Sequence, residues 1–532
     1  MKKCLAFVLC AGLAVSALSG CSASGIAGNT AVDAPVQETE VASEGSTVNE
    51  EKTEATEPED IVEINVALMT GKSYDPSITE AITERLNEIS ESKIGVHVNV
   101  NYYDGGSYMT QVPLQLAAGD KLDLVFCTPM PATSFGTLYA QNQLMDITDY
   151  MEEYAPETLE ILGDYIGGTS VAGRIYGVPC YRTYSQIGYI IMRQDILDEL
   201  GLAEKAAAID SWSDYEEILT EVAANTDIAP LGNSSKGTTL TVYPVDFGTD
   251  DFADNYWFDS LSDANSSIYS DEKTDTIDCW FYTDGYKETA KRVWEWYHKG
   301  LVYKDAAISE DAGETIMSTG TIFSYIISGG FDAEMSKEAS TGYELCLVPI
   351  TPYKISTKST QFFSYAVPAN SDEPEAAVSF LNLMMSDKDI ANALCWGVEG
   401  RDYVVIDGEA CFPEGLDAST VPYHESDMLF GNTFNALPWD GQGADLREIE
   451  LEYEASASAS KYLGFTFDSS TITNEFTAVN GVTLQYMGLL SSGAEDNFEA
   501  TYEEFINKLH DAGMDTIIAE YQRQLDAWLA EQ

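Results

Sequence analysis

Residues 61–126 switch between two hydrophobic periods, and that switching narrows the fold more than any other feature of the chain. In IVEINVAL (61–68), Val62, Ile64, Val66 and Leu68 alternate on one face, the two-residue period of a strand. Ile78, Ile82, Leu86 and Ile89 then recur at three- and four-residue steps behind a capping-box start at Ser77 and Glu80, the period of a helix with one buried stripe. GVHVNVNYY restores the alternation through Val96, Val98, Val100 and Tyr102. SYMTQVPLQLAAGD predicts a second helix, kinked or started late by Pro113 and stopping near Gly119, and LDLVF (122–126) predicts a third strand. Strand, helix, strand, helix, strand with short connections requires right-handed crossovers. The expectation is therefore an α/β body whose parallel sheet carries helices on both faces.

Such a sheet takes its ligand beyond the carboxyl ends of its strands. Those ends are MTGKSYDP (69–76), YYDGGSY (102–108) and CTPMPATSF (127–135), all rich in Gly, Pro, Ser, Thr and Tyr. Further along, Ile187, Tyr189 and Ile191 alternate as a strand, and a helix begins at Ser211 or Ser213. Another helix ends at Gly300, and one starts near Ser371–Pro374. Two helical pieces, 501–511 and 514–531, are broken at Gly513, and no internal repeat is present.

The amino terminus reads as an export signal. Lys2 and Lys3 precede an apolar run from Leu5 to Leu18, too short to span a bilayer comfortably. Ser19, Gly20 and Cys21 resemble the lipobox of bacterial lipoproteins, in which residues 1–20 are removed and Cys21 is diacylated through its sulfur. Residues 21–60 carry ten acidic residues, one lysine and no aromatic residue, the composition of a disordered, self-repelling tether. The net charge of -61 repels nucleic acid and anionic lipid alike, which leaves the acyl chain to hold the membrane. Six further cysteines are scattered without a CxxC pair, consistent with buried free thiols.

GRIYGVP (173–179), SWSDYEEIL (211–219), GLVYKDAA (300–307) and GTIFSYIISGG (320–330) resemble, in this order, the extracellular solute-binding proteins of ABC importers. WGVEGRDYVV (396–405), GFTFD (464–468) and EFINKLHDAGMDTIIAEYQRQLDAWLA (504–530) resemble a lipoprotein subgroup of sugar-type binders with a distinctive terminal domain. The resemblance implies a two-lobe, periplasmic-binding-protein-like fold of type II with a hinge and an interdomain cleft. Lobe 1 is then 61–182 with 349–395, and lobe 2 is 183–348 with 396–532. It implies a lipid-anchored monomer on the extracellular face of the cell membrane that passes a solute to an ABC permease, with no cofactor.

Sugar recognition uses aromatic faces against pyranose rings and carboxylates for vicinal hydroxyls. The candidates near the expected cleft loops are Tyr181, Tyr184, Trp257, Tyr325, Trp396 and Trp439, with Asp75, Glu399 and Asp440 as the acids. Enzyme signatures fail. TGKS (70–73) lacks the upstream glycine of a phosphate loop, having Val66 there, and no G-x-S-x-G elbow occurs. His97, His298, His424 and His510 lack metal spacing, and 88 acidic residues make accidental carboxylate pairs inevitable. The tract 246–255 lacks EF-hand spacing and reads as a solvated loop rather than a calcium site. The expected function is capture of a sugar or oligosaccharide; a peptide or other polar solute, and a surface glycan hydrolase, are the alternatives.

Overall fold

The computed structural model describes residues 61–531 except 131, 233–244, 262–266, 310, 331–332 and 470. The export signal, Cys21 and the acidic spacer lie outside the described residues. The opening alternation forms β1 (Val62–Thr70), α1 (Pro76–Ile94), β2 (Val96–Asp104), α2 (Gly105–Ala118) and β3 (Leu124–Cys127). β1 pairs in parallel with β2 and with β3. α1 buries Ile82, Leu86 and Ile89, each contributing roughly 1.5–3 kcal/mol by leaving water. The Asn87 amide bonds both the N–H and the carbonyl of Val98, which fixes the helix against β2.

Two local expectations shift. α1 is capped by Asp75, whose carboxylate accepts from Ser77 N at 2.9 Å, with Pro76 opening the helix; the start is two residues upstream of the expected Ser77 cap. Pro113 lies inside α2, which runs unbroken from Gly105 to a left-handed Gly119 at φ 76°.

The full sheet order is β2, β1, β3, Ser364–Ala366, Val178–Pro179, and Ser364–Ala366 runs antiparallel to both of its neighbours. The sheet is therefore mixed. The reversed strand comes from far along the chain, after an excursion into the second lobe, and so enters from the opposite end. The second sheet is ordered Leu345–Pro349, Ile187–Arg193, Ile322–Gly329, Ala229–Leu231. Ile187–Arg193 is buried along its whole length and antiparallel to both neighbours.

Three cores follow. The first joins the β1–β3 sheet to Tyr365, Leu381 and Trp396, and also to Tyr423, Phe430 and Trp439. The second covers one face of the other sheet and holds Trp212, Trp296 and Ile350. The third packs the hairpin Ile268–Cys279 and the helix Asp284–His298 against Thr473–Ser492, Phe498–Asp511 and Met514–Leu529. These cores correct the expected lobe boundaries. Residues 396–439 do not join lobe 2, because they fold back on the helix Lys388–Trp396, with Tyr423 Oη donating to Leu394 O. Residues 349–355 stay with lobe 2, since Pro349 pairs with Tyr189 and Lys354 bonds Gln186. The six cysteines among the described residues are free, and all but Cys346 are buried.

Candidate cleft between the two lobes

Three segments cross between the cores. The first, Cys180–Gln186, is tied to lobe 1 by Cys180 N to Phe363 O and Tyr181 N to Gly431 O, and to lobe 2 through Gln186 and Lys354. The second is 350–363 and the third is 440–460; Lys354–Ile355 pairs in parallel with Ser458–Ala459. Glu454, on the helix Leu446–Ser456, accepts from Tyr184 N at 2.9 Å and Ser185 N at 3.1 Å. Burial pushes its carboxyl pKa up, and the two N–H donors oppose that rise.

On the lobe 1 side the strand ends present the loop 71–75, the direct β2–α2 junction at Asp104–Gly105 and the segment that follows β3, as the parallel register requires. Asp104 caps α2 through Ser107 N and also accepts from Ser73 Oγ at 2.8 Å, and these hydrogen bonds hold its pKa below the usual carboxylate value. Behind the loops, the Arg182 guanidinium lies over Phe362, Phe363 and Tyr184 at 5.5, 5.7 and 5.6 Å and donates to Thr183 O and Ser359 O. Phe362 is 36% exposed. On the lobe 2 side Tyr189 and Tyr353 hydroxyls meet at 3.2 Å, Tyr453 packs at 5.5 Å from Tyr353, and Ser328 Oγ bonds Gln186. Rings with hydroxyl and amide groups between them thus gather around the crossing. That is the chemistry that stacks on apolar sugar faces and pairs with hydroxyls.

The residues singled out from the sequence divide. Tyr181 stands half-buried at the first crossing, beside Tyr165, Tyr184 and Phe434. Asp75 borders the first loop but spends its carboxylate on the α1 cap. Glu399 and Asp440 are exposed. Tyr184, Trp257, Tyr325, Trp396 and Trp439 are enclosed, none more than 7% exposed. Large rings gain most when packed on all sides. Tyr184 caps the hinge through Cys180 O, Trp257 sits in the second core, and Tyr325 closes on Gly313. Trp396 and Trp439 pack on each other at 4.9 Å and enclose His424 with Phe412. Sequence reasoning missed Arg182, Phe362, Tyr353 and Tyr453. The aromatic strings YRTYS and QFFSY carried a weak signal, but spacing does not tell which ring stays open.

Residues 75–391 match the family described as bacterial extracellular solute-binding protein. The chain belongs to this family. Residues 461–530 also match a domain of unknown function, DUF3502. A carbohydrate ABC transporter substrate-binding protein of Streptococcus pneumoniae serotype 4 is 22% identical over 461 residues, 85% of this chain and 89% of its own length. The N-glycan transport solute binding protein NgtS from Streptococcus pneumoniae superposes with a TM-score of 0.72 at 19% identity, over 88% of this chain and 99% of that one. Its complexes with Man1GlcNAc and Man5GlcNAc superpose over the same shares at 0.63 and 0.59. An HMO-binding, ABC-transporter-associated solute-binding protein from Bifidobacterium longum infantis scores 0.62 at 16% identity, over 88% and 99%. The solute-binding fold of two lobes about a cleft is shared with all of these.

Among the described residues no helix is long and apolar enough to cross a membrane. Nor do three or more His, Cys, Asp or Glu side chains gather as a metal site. In 246–255, Asp246 and Asp251 close turns by accepting from Gly248 N and Ala253 N, and Asp250 accepts from Ser213 N at the start of the helix Trp212–Asn225.

Proposed function

We propose that this solute-binding protein captures an oligosaccharide between its lobes and passes it to an ABC permease, with Cys21 as its lipid anchor at the extracellular face. The observation that carries the reading is the gathering of rings around the crossing: a partly exposed Phe362 on one side, and Tyr353 and Tyr453 on the other. Tyr181 and the loop bearing Lys72, Ser73 and Asp75 complete the proposed contact surface; Glu399 and Asp440 are exposed. The glycan ligands named for NgtS support the sugar class. The lower superposition of those two complexes supports lobes that rotate about the three crossings. A ligand closes such a hinge only by binding the closed form better than the open one. Catalysis has no part in this reading.

Thermal melting with a ligand panel tests it. A glycan at about a hundred times its Kd stabilises the native state by about 2.7 kcal/mol and raises Tm accordingly. Mannose- and GlcNAc-containing oligosaccharides and milk-type oligosaccharides are the expected hits. A Tm shift with a peptide pool and with no glycan rejects the sugar class, and consumption of a glycan rejects a binder without catalysis.

A further inference from the structure

The first loop of the cleft, residues 71–75, makes its longest-range contact with a residue 354 positions away. Glu425 is 4% exposed, and both of its carboxylate oxygens face that loop: Oε2 accepts from Gly71 N at 2.8 Å and Oε1 from Tyr74 Oη at 2.6 Å. The Tyr74 hydroxyl also reaches His424 O at 2.9 Å, and its ring packs 4.9 Å from Tyr423. The loop has little else to hold it from inside. Thr70 Oγ1 bonds Lys72 O, and Ser73 reaches across to Asp104.

Glu425 is itself anchored. Its N–H bonds Cys395 O at 2.9 Å, so segment 423–425 is laid along the end of the helix Lys388–Trp396. The His424 ring lies 5.0 Å from Trp396 and 4.3 Å from Trp439. Trp396 Nε1 is spent on Leu437 O. The two tryptophans that looked like sugar platforms therefore form the base on which the loop-holding carboxylate stands.

We propose that Glu425 is the positioning residue of the cleft loop 71–75, and that Trp396 and Trp439 act on the ligand only through it. The inference rests on the carbohydrate-binding reading. Two N–H and O–H donors converging on one carboxylate make charge-assisted hydrogen bonds, stronger than neutral ones. A glutamine keeps the shape and loses the charge: its oxygen still accepts from Gly71 N–H, and its N–H faces Tyr74 Oη, which must then give its own proton to His424 O.

The test uses the full chain, the glycan that raises Tm most, and the variants Glu425→Gln, Tyr74→Phe and both together. Titration calorimetry is expected to show Kd weakened about tenfold by Glu425→Gln, the loss of one charged hydrogen bond. The double variant should be no worse than Glu425→Gln, because both changes cut one link. Amide exchange should speed in 70–75 while 96–104 keeps its protection, a local effect that general destabilisation does not give.

A pH profile adds a second readout. Lys72 and Tyr74 on the loop, Tyr423 on its own segment and Cys395 on the helix face Glu425. Burial raises the carboxyl pKa, so wild-type affinity should fall as pH drops, while Glu425→Gln stays flat. Unchanged Kd and unchanged loop exchange in Glu425→Gln overturn the proposal. Should the wild type bind no glycan, the functional reading fails, and loop exchange still decides the role of Glu425.

Discussion

Two buried side chains oppose each other across the pH scale. Burial pushes the His424 imidazole down to about 4, so the folded chain refuses a proton that the unfolded chain accepts near pH 6.5. Stability from this residue rises with pH between those values. Glu495 is 5% exposed, neither of its carboxyl oxygens has a hydrogen-bond partner, and burial pushes its pKa up to about 7. The folded chain there keeps a proton that the unfolded chain releases near pH 4.5, so stability is full below that value and is lost as pH rises through 7. Each shift is worth on the order of 3 kcal/mol. In the wild type the two slopes partly cancel between pH 4.5 and 6.5, so single variants expose them. Urea unfolding of Glu495→Gln at pH 8 should give higher stability than wild type, with little difference at pH 4.5. His424→Phe should lose less stability than wild type when taken from pH 6.5 to 4.5; an equal loss in both would show that the ring is not held neutral.

At the scale of elements, Asp75 joins two possible roles at one carboxylate: cap of α1 and contact to ligand. Asp75→Ala should cost about 1 kcal/mol of stability, the usual value of a lost N-cap. Asp75→Asn keeps a good cap and removes the charge, so urea midpoints should stay near wild type. A glycan Kd that weakens in the Asn variant assigns the charge to the ligand, and an unchanged Kd leaves it as a cap alone. Several helices were legible in the chain because apolar period and capping residues act locally: Ser211 caps Trp212–Asn225, and the terminal break at Gly513 takes positive φ. The Asp75 cap was obscured by Ser77 and Glu80, which fit the same signature two residues later.

For the whole molecule, the hinge is the element on which function turns. Glu454→Ala leaves two buried N–H groups of the first crossing unpaired, at about 1–3 kcal/mol each. The expected outcome is a lower Tm and a broader distribution of interlobe distances in small-angle scattering, narrowed again by saturating glycan. An unchanged distribution would remove Glu454 from the hinge. Cys21→Ala should release the protein from membranes into the medium with its ligand-induced Tm shift intact; retention on the membrane would point to another anchor.

By itself the sequence determined the alternating α/β frame, the parallel pairing of its first strands, the positions of several helices, and the family. All of these follow from periodicities and turn residues that operate within a few positions. Tertiary structure alone decided which late segments return to lobe 1, which rings stay open, and which carboxylate holds the first cleft loop. Residues 396–439 are as apolar as a lobe 2 segment would be, and only the partner they pack on assigns them. Trp396 and Phe362 are equal candidates in a linear chain; packing enclosed one and left the other 36% exposed, because burial depends on neighbours brought from far along the sequence. Glu425 and Gly71 meet across 354 positions, a pairing that no local pattern encodes.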